Sequence, residues 1–148
     1  MLAEAHADRK IVVLSSNMTD TSMRHKARAN FLAQHAVKAA HVAVFVGEDA
    51  QRVKSKALAC GLGEDCVHAF ETWQAAAALL KGELRAGDLV LIKGRSCDHL
   101  ARVYLDLVGP VTCENQYCNK TTLCDHCRNL GFRWHPELEG FIARPLKN

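Results

Sequence analysis

Apolar side chains alternate along the chain between short continuous runs and stretches with helical spacing. Ile11-Val12-Val13-Leu14 is an apolar, β-branched run ended by Ser15-Ser16-Asn17, which predicts a strand. From about Ser22 to Ala40 the positions Met23, Ala27, Phe31 or Leu32, Ala36 and Ala39 recur at three- and four-residue intervals among Arg24, Lys26, Arg28 and Lys38. That spacing predicts an amphipathic helix with Thr21 or Ser22 as its cap. Val42 to Val46, closed by Gly47, predicts a second strand, followed by a helix over Asp49 to Cys60 stopped at Gly61 and Gly63. Cys66 to Phe70 reads as a third strand, and Thr72 caps a helix whose Trp73, Ala76 or Ala77, Leu80 and Leu84 share a face. Asp88 to Lys93 is the fourth strand, and Leu100, Val103, Tyr104 and Leu107 mark a fourth helix. Strands that read as unbroken apolar runs, each followed by a helix, predict an α/β fold. The expected architecture is a Rossmann-like, mostly parallel sheet flanked by helices on both faces, with right-handed crossovers.

After Gly109-Pro110 the periodicity stops, and a boundary near residue 110 divides an α/β domain (1–110) from a C-terminal module (111–148). The module ends in a short hairpin-like stretch with Phe132, Trp134 and Phe141 around His135-Pro136 and Gly140. Fewer than forty residues cannot hold together by apolar burial alone, so a structural metal and docking onto the sheet domain are the expected supports. Cys113, Cys118, Cys124 and Cys127 have the spacing C-x4-C-x5-C-x2-C, two thiolate pairs able to surround one ion. Zinc favours such a tetrahedron, and four thiolates leave no open position for water, so the expected metal is structural zinc. An iron–sulfur cluster and metal-free, redox-active thiols are the alternatives, and His126 or His135 can substitute for a cysteine. Cys60, Cys66 and Cys97 sit in apolar surroundings and are expected to be plainly packed.

Composition narrows the function classes. With 49% hydrophobic and 24% charged residues the chain is neither disordered nor a disulfide mini-protein. Nineteen basic residues against sixteen acidic ones are mixed along the chain, which argues against a strongly basic nucleic-acid binder. From residue 113 onward Lys120, Arg128, Arg133, Arg144 and Lys147 face Glu114, Asp125, Glu137 and Glu139, a near balance with the same implication. No apolar run approaches the roughly 18 to 20 residues that span a bilayer. Met1 to Lys10 lacks the basic-then-apolar order of a secretory signal, so a cytoplasmic location is expected.

In an open parallel sheet, ligands bind beyond the carboxyl ends of the strands. The turn after the first strand has no G-x-G-x-x-G, which argues against a dinucleotide site, and no G-x-x-x-x-G-K-[ST] loop occurs to hold ATP phosphates. Lys93-Gly94-Arg95-Ser96-Cys97-Asp98 ends the fourth strand and is expected to run directly into a helix, placing a lysine, an arginine and free backbone N–H groups at a helix N-terminus where a carboxylate or phosphate could bind. The plainer reading is that Lys93 and Arg95 are solvated and Ser96 caps the helix. His25, His35, His41 and His68 read as packed or exposed side chains, whereas His99, beside Asp98, stays on the functional list.

Three segments together carry a family resemblance: Arg9-Lys10-Ile11-Val12-Val13-Leu14 with a turn containing Met18 and Asp20, Val46-Gly47-Glu48-Asp49-Ala50, and Gly87-Asp88-Leu89-Val90-Leu91-Ile92-Lys93-Gly94. Residues 9 to 108 resemble the C-terminal domain of the Mur ligases, most of all the ligase that adds D-alanyl-D-alanine to the peptidoglycan precursor. The resemblance implies an acceptor-binding domain that closes over the active site of an ATP-dependent amide ligase and is not catalytic alone. It implies that ATP and magnesium bind only through a central domain of the same or a partner chain. By position it assigns Asn17, Asp20, Lys93, Gly94, Arg95 and Ser96 to an amino-acid or peptide acceptor. The family's Gly-Asp-Met-x-Glu-Leu-Gly turn is here Ser16-Asn17-Met18-Thr19-Asp20-Thr21-Ser22, and its Lys-Gly-Ser is Lys93-Gly94-Arg95 with Ser96 one place later. Arg95 adds a charged donor, which suits a more anionic acceptor than D-alanyl-D-alanine. The cysteine module lies outside the resemblance. Two other readings stand beside it: a non-enzymatic binding module whose zinc-bearing tail contacts a protein or nucleic acid, and a redox protein using Cys124-Asp125-His126-Cys127.

Overall fold

The computed structural model describes residues 2–17 and 23–115, together with Cys118, Lys120, Leu123, Cys124, Cys127 and Leu130. Four strands, β1 (Arg9–Ser15), β2 (Val42–Val46), β3 (Val67–Phe70) and β4 (Asp88–Lys93), form one parallel sheet in the order β3-β2-β1-β4. Between them run α1 (His25–Ala39), α2 (Ala50–Ala59) and α3 (Trp73–Glu83), and α4 (Ala101–Val108) follows β4.

The apolar runs become strands because both faces of the sheet are covered. Successive side chains point to opposite faces. Val12 and Leu14 of β1 therefore join Ala43 and Phe45 of β2 beneath α1 and α2, where Leu32, Val53 and Ala57 are buried. Ile11 and Val13 join Val44 and Val46 on the other face, against Trp73, Ala77 and Leu80 of α3, Val103 of α4 and Leu100 just before it. Chain order explains the division: β1 to β2 to β3 steps one way across the sheet, and β4 returns to the far side of β1, so right-handed crossovers place the later helices on the opposite face.

Two details differ from the sequence reading. The helix α1 begins at His25 with Arg24 at its cap position, and the expected caps Thr21 and Ser22 lie outside the described residues. Its buried stripe is Ala29, Leu32, Ala33 and Ala36, while Met23, Ala27 and Phe31 are exposed. Small alanines on either side of Leu32 let the helix approach the sheet closely, so the contact runs along them and that one leucine. Cys60 and Cys97, expected to be packed, are exposed, and Cys66 is half-buried. Cys60 is the C-cap of α2 and Cys97 sits in a 3-10 turn (Ser96–Asp98), and both positions lie beyond the sheet's cover. Thr72, by contrast, caps α3 as expected, its hydroxyl accepting from the Ala75 N–H at 3.4 Å.

The edge strand is stitched to the centre by one ion pair. Arg9 and Asp88 stand opposite each other in the β1–β4 register, and the guanidinium donates to both carboxylate oxygens, Nε at 2.8 Å and NH2 at 2.6 Å. The hydrogen bond from Arg9, aided by the Arg85 N–H, holds the Asp88 carboxyl down at about 2, against the opposing effect of burial. Because that value lies below the ordinary carboxylate value of about 3.9, the pair adds stability that is complete above the ordinary value and is lost as pH falls toward 2. Urea unfolding of Asp88→Asn should show a clear loss of stability at neutral pH that narrows toward zero near pH 2; an equal loss at both would contradict this reading.

Candidate functional site

The strand order reverses between β1 and β4, and the loops leaving their carboxyl ends part there to form a crevice. Ser15 ends β1, and the Ser16 N–H donates to the Val46 carbonyl at 2.8 Å, so the β1 turn lies against the end of β2. Gly47 then passes between them, its N–H donating to the Phe70 carbonyl at 2.9 Å. Its φ of +119° is a glycine conformation, and a Cβ there would lie 2.6 Å from Ser16 Oγ. Gly94, leaving β4, is tight as well: a Cβ would stand 3.0 Å from Leu100 Cδ1 and 3.2 Å from Ser15 Cβ.

Two cavities open at this end of the sheet. The smaller, about 160 Å³, is lined by Ser15, Asn17, Gly47, Trp73, Arg95 and Asp98 among others, and so joins the β1 turn to the β4 turn. Asn17 donates its backbone N–H to Ser15 Oγ at 3.1 Å. Buried Trp73 Nε1 has no hydrogen-bond partner among the described residues. The larger, about 750 Å³, lies between β4 and α4 with mainly apolar walls, including Val90, Ile92, Leu100 and Tyr104, and it also reaches Gly94, Arg95, Ser96 and His99. The structure therefore brings Asn17, Gly94, Arg95 and Ser96 to one end of the sheet. Lys93 is exposed at the end of β4 and lines neither cavity, and Asp20 lies outside the described residues.

The segment after β4 departs from the expected direct entry into a helix. A 3-10 turn, Ser96–Asp98, comes first, then His99 in the left-handed region at φ 49°, and α4 begins at Ala101. Asp98 closes the turn on Arg95, Oδ2 accepting from the Arg95 backbone N–H at 2.8 Å and Oδ1 from its NH2 at 2.9 Å. Ser96 makes no side-chain cap, because Asp98 already occupies that role. Burial opposes ionisation of Asp98, but hydrogen bonds from Arg95 and Ser15 outweigh it and keep the carboxyl below its usual range. The β4 turn is thus a closed, charged loop carried on Ser15 of β1.

The cysteine segment folds back onto α4. Cys124 is buried with Leu105 and Leu130, and Cys113 and Cys127 pack against the same cluster. Thr112 donates to the Leu130 carbonyl through its backbone N–H at 3.0 Å and its hydroxyl at 3.2 Å. Two side chains clasp this segment to the domain. His99 sits between the Cys118 carbonyl, 2.9 Å from Nε2, and Cys124 Sγ, 3.2 Å from Nδ1. Arg102, 1% exposed, donates to the carbonyls of His99 and Asn115 and lies over the Trp73 ring, 5.2 Å from its centroid. Burial pushes the Cys124 thiol up, the neighbouring thiols push the same way, and the Arg102 charge opposes them. Among the described residues, no three His, Cys, Asp or Glu side chains stand close enough together to hold a metal ion.

Sequence spacing missed Arg102 and the clasping role of His99. The periodicity of α4 predicts a buried face of Leu100, Val103, Tyr104 and Leu107, yet Tyr104 is exposed and Arg102 and Leu105 are buried. One face of the helix meets the sheet and another meets the cysteine segment. Leu105, apolar but off the main stripe, is the signal that could have shown the second contact.

A family model described as Mur ligase, glutamate ligase domain, matches residues 1–96, from the start of the chain through β4 and into its turn. No curated protein shows significant similarity to the chain. Gly47 and Gly61 both have positive φ, but only Gly47 meets a close neighbour. Gly47→Ala should therefore destabilise the fold by at least about 1 kcal/mol and by clearly more than Gly61→Ala in urea unfolding; equal losses would show that the Ser16 contact does not constrain the turn.

Proposed function

Because the chain belongs to the family of Mur ligase C-terminal domains, its model matching residues 1–96, we propose that it is the acceptor-binding domain of an ATP-dependent amide-forming ligase and is not catalytic alone. The observation that supports this most is the convergence of Asn17, Gly94, Arg95 and Ser96 at the carboxyl ends of β1 and β4, where the strand order reverses. Asn17 offers an amide to the acceptor, and Lys93 a point charge to its carboxylate. Arg95 carries part of its guanidinium on Asp98, so the turn holds the fork in place before a ligand arrives. ATP and magnesium are supplied by a central domain of the same or a partner chain, since no phosphate-binding loop occurs in this sequence. Acceptors of the peptidoglycan-precursor type, an amino acid or short peptide, fit this reading, and a more anionic one than D-alanyl-D-alanine suits Arg95. The family reading also carries a cytoplasmic location; no described helix is long and apolar enough to cross a membrane.

The segment from residue 111 onward is proposed to be a structural module holding zinc through thiolates drawn from Cys113, Cys118, Cys124 and Cys127. The donor chemistry suits the ion, and three of these residues already share one cluster on α4. Among the described residues no three such side chains are placed to hold a metal ion, so binding would entail a rearrangement of the segment.

The acceptor reading is tested in the ligase that carries this domain. Lys93→Ala and Arg95→Ala should each raise the KM for the acceptor by about tenfold or more, the loss of one charged contact, while leaving the KM for ATP unchanged. An unchanged acceptor KM, or an effect on ATP alone, would overturn the assignment.

A further inference from the structure

We propose that the apolar groove between β4 and α4 seats the body of the acceptor, so that this domain selects an amino acid or short peptide carrying a carboxylate at one end and a bulky apolar side chain at the other. The inference rests on the acceptor reading above and specifies its substrate class. It starts from the edge of the sheet. β4 is an edge strand, and among the described residues no further strand pairs with its outer side. Val90 and Ile92 are half-buried there, whereas Ile11 and Val13, their register partners on β1, are fully buried. The neighbouring elements do not close over them: Tyr104 of α4 is 38% exposed, and Leu123 of the cysteine segment 56%. Leu84, Val90, Ile92, Tyr104, Leu107 and Leu123 thus line an open space of about 750 Å³. Mainly apolar walls with a few polar groups at one end, enclosing roughly 300–1,000 Å³, are the usual form of a small-ligand site.

The polar end follows from what the groove adjoins. Arg95 and Leu100 line both this groove and the small cavity of the β1 turn, so the two spaces meet at these residues. Leu100, packed against Gly94, forms an apolar step between them, and Arg95, clamped by Asp98, sets a guanidinium at the junction. On the far side the small cavity is bordered by Ser15, Asn17 and Asp98. A ligand lying across Arg95 therefore meets hydrogen-bonding groups on one side and aliphatic and aromatic walls on the other. Two simpler occupants use only half of this arrangement. A dipeptide of two alanines satisfies the polar end and leaves the groove wet, and a purely apolar molecule gains nothing from Arg95. A carboxylate at Arg95 joined to a leucine- or phenylalanine-sized side chain uses both. Each methylene moved from water into the groove contributes up to about fourfold in affinity, so the apolar end, more than a charged contact shared with Asp98, discriminates among acceptors.

Titration of the full 148-residue chain with alanyl-glycine, alanyl-alanine, alanyl-leucine and alanyl-phenylalanine, followed by amide and methyl resonances, tests this. Affinity should rise along the series, by at least about tenfold from alanyl-alanine to alanyl-phenylalanine. Resonances of Gly94 to Ser96 should shift with every peptide, and those of Val90, Ile92 and Leu107 only with the bulky ones. Tyr104→Asp and Leu123→Asp, both at solvent-exposed positions, should each shrink the preference for phenylalanine to about twofold or less. Equal affinities along the series, with shifts confined to Gly94 to Ser96, would overturn the apolar selection and leave the acceptor reading standing. A preference that survives both aspartate variants would overturn it too, by placing the apolar end elsewhere. In the ligand-free chain, nuclear Overhauser contacts from residues 131–148 to Val90 and Ile92, or concentration-dependent shifts at those two residues, would give the groove to the chain's own end or to a second copy, against the proposal. If none of the dipeptides binds, the acceptor reading itself fails, and this inference with it.

Discussion

A parallel sheet must be covered on both faces, and in this chain that requirement falls on β1. It lies between β2 and β4, its Val12 and Leu14 meet one helical layer, and its Ile11 and Val13 meet the other. Unbroken apolar strands satisfy this demand where alternating ones would bury polar side chains. The same demand makes the chain step first to one side of β1 and then to the other, because right-handed crossovers in a single direction would cover only one face. The crevice between the carboxyl ends of β1 and β4 is therefore a by-product of covering the sheet.

The second constraint acts on α4. A helix of eight residues contributes Val103 and Leu107 to the sheet and turns Leu105 and Arg102 toward the cysteine segment. Burying a guanidinium is costly unless its donors are used, and the carbonyls of His99 and Asn115 together with the Trp73 face use them. Arg102 is thus held by groups from three segments, and the C-terminal segment shares its anchorage with the loop that carries Arg95 and Asp98. A change on one side of α4 is mechanically coupled to the other through this one residue and its neighbour His99.

Much of the fold was legible in the residues. The β2 and β4 runs end at the residues that pattern indicated, Thr72 caps α3, and the parallel sheet with helices on both faces follows from the alternation of strands and helices. Patterns of this kind are local. The stripe of α1 was legible only in part: Leu32 and Ala36 are buried as the spacing indicates, but that Ala29 and Ala33 join them while Ala27 stays exposed depends on how the helix lies on the sheet, and only the packed structure decides that. The turn after β4 was misread for a similar reason: Asp98 competes for the Arg95 backbone N–H and forms a 3-10 turn where a helix start was expected. At the candidate site, the family resemblance named Asn17, Gly94, Arg95 and Ser96, which the fold brings to one end of the sheet, whereas Arg102 and the double engagement of His99 depend on contacts between residues far apart in sequence, which no spacing reveals.

The account's central claim is that the crevice between β1 and β4 seats the acceptor. It is tested most directly by following backbone amide resonances of the 148-residue chain while amino acids and short anionic peptides are added, with magnesium-ATP titrated separately. The predicted result is a set of saturable shifts centred on Asn17 and on Gly94 to Ser96, with none from magnesium-ATP. Shifts confined to the opposite edge of the sheet at β3, or a response to magnesium-ATP in place of the acceptors, would contradict it.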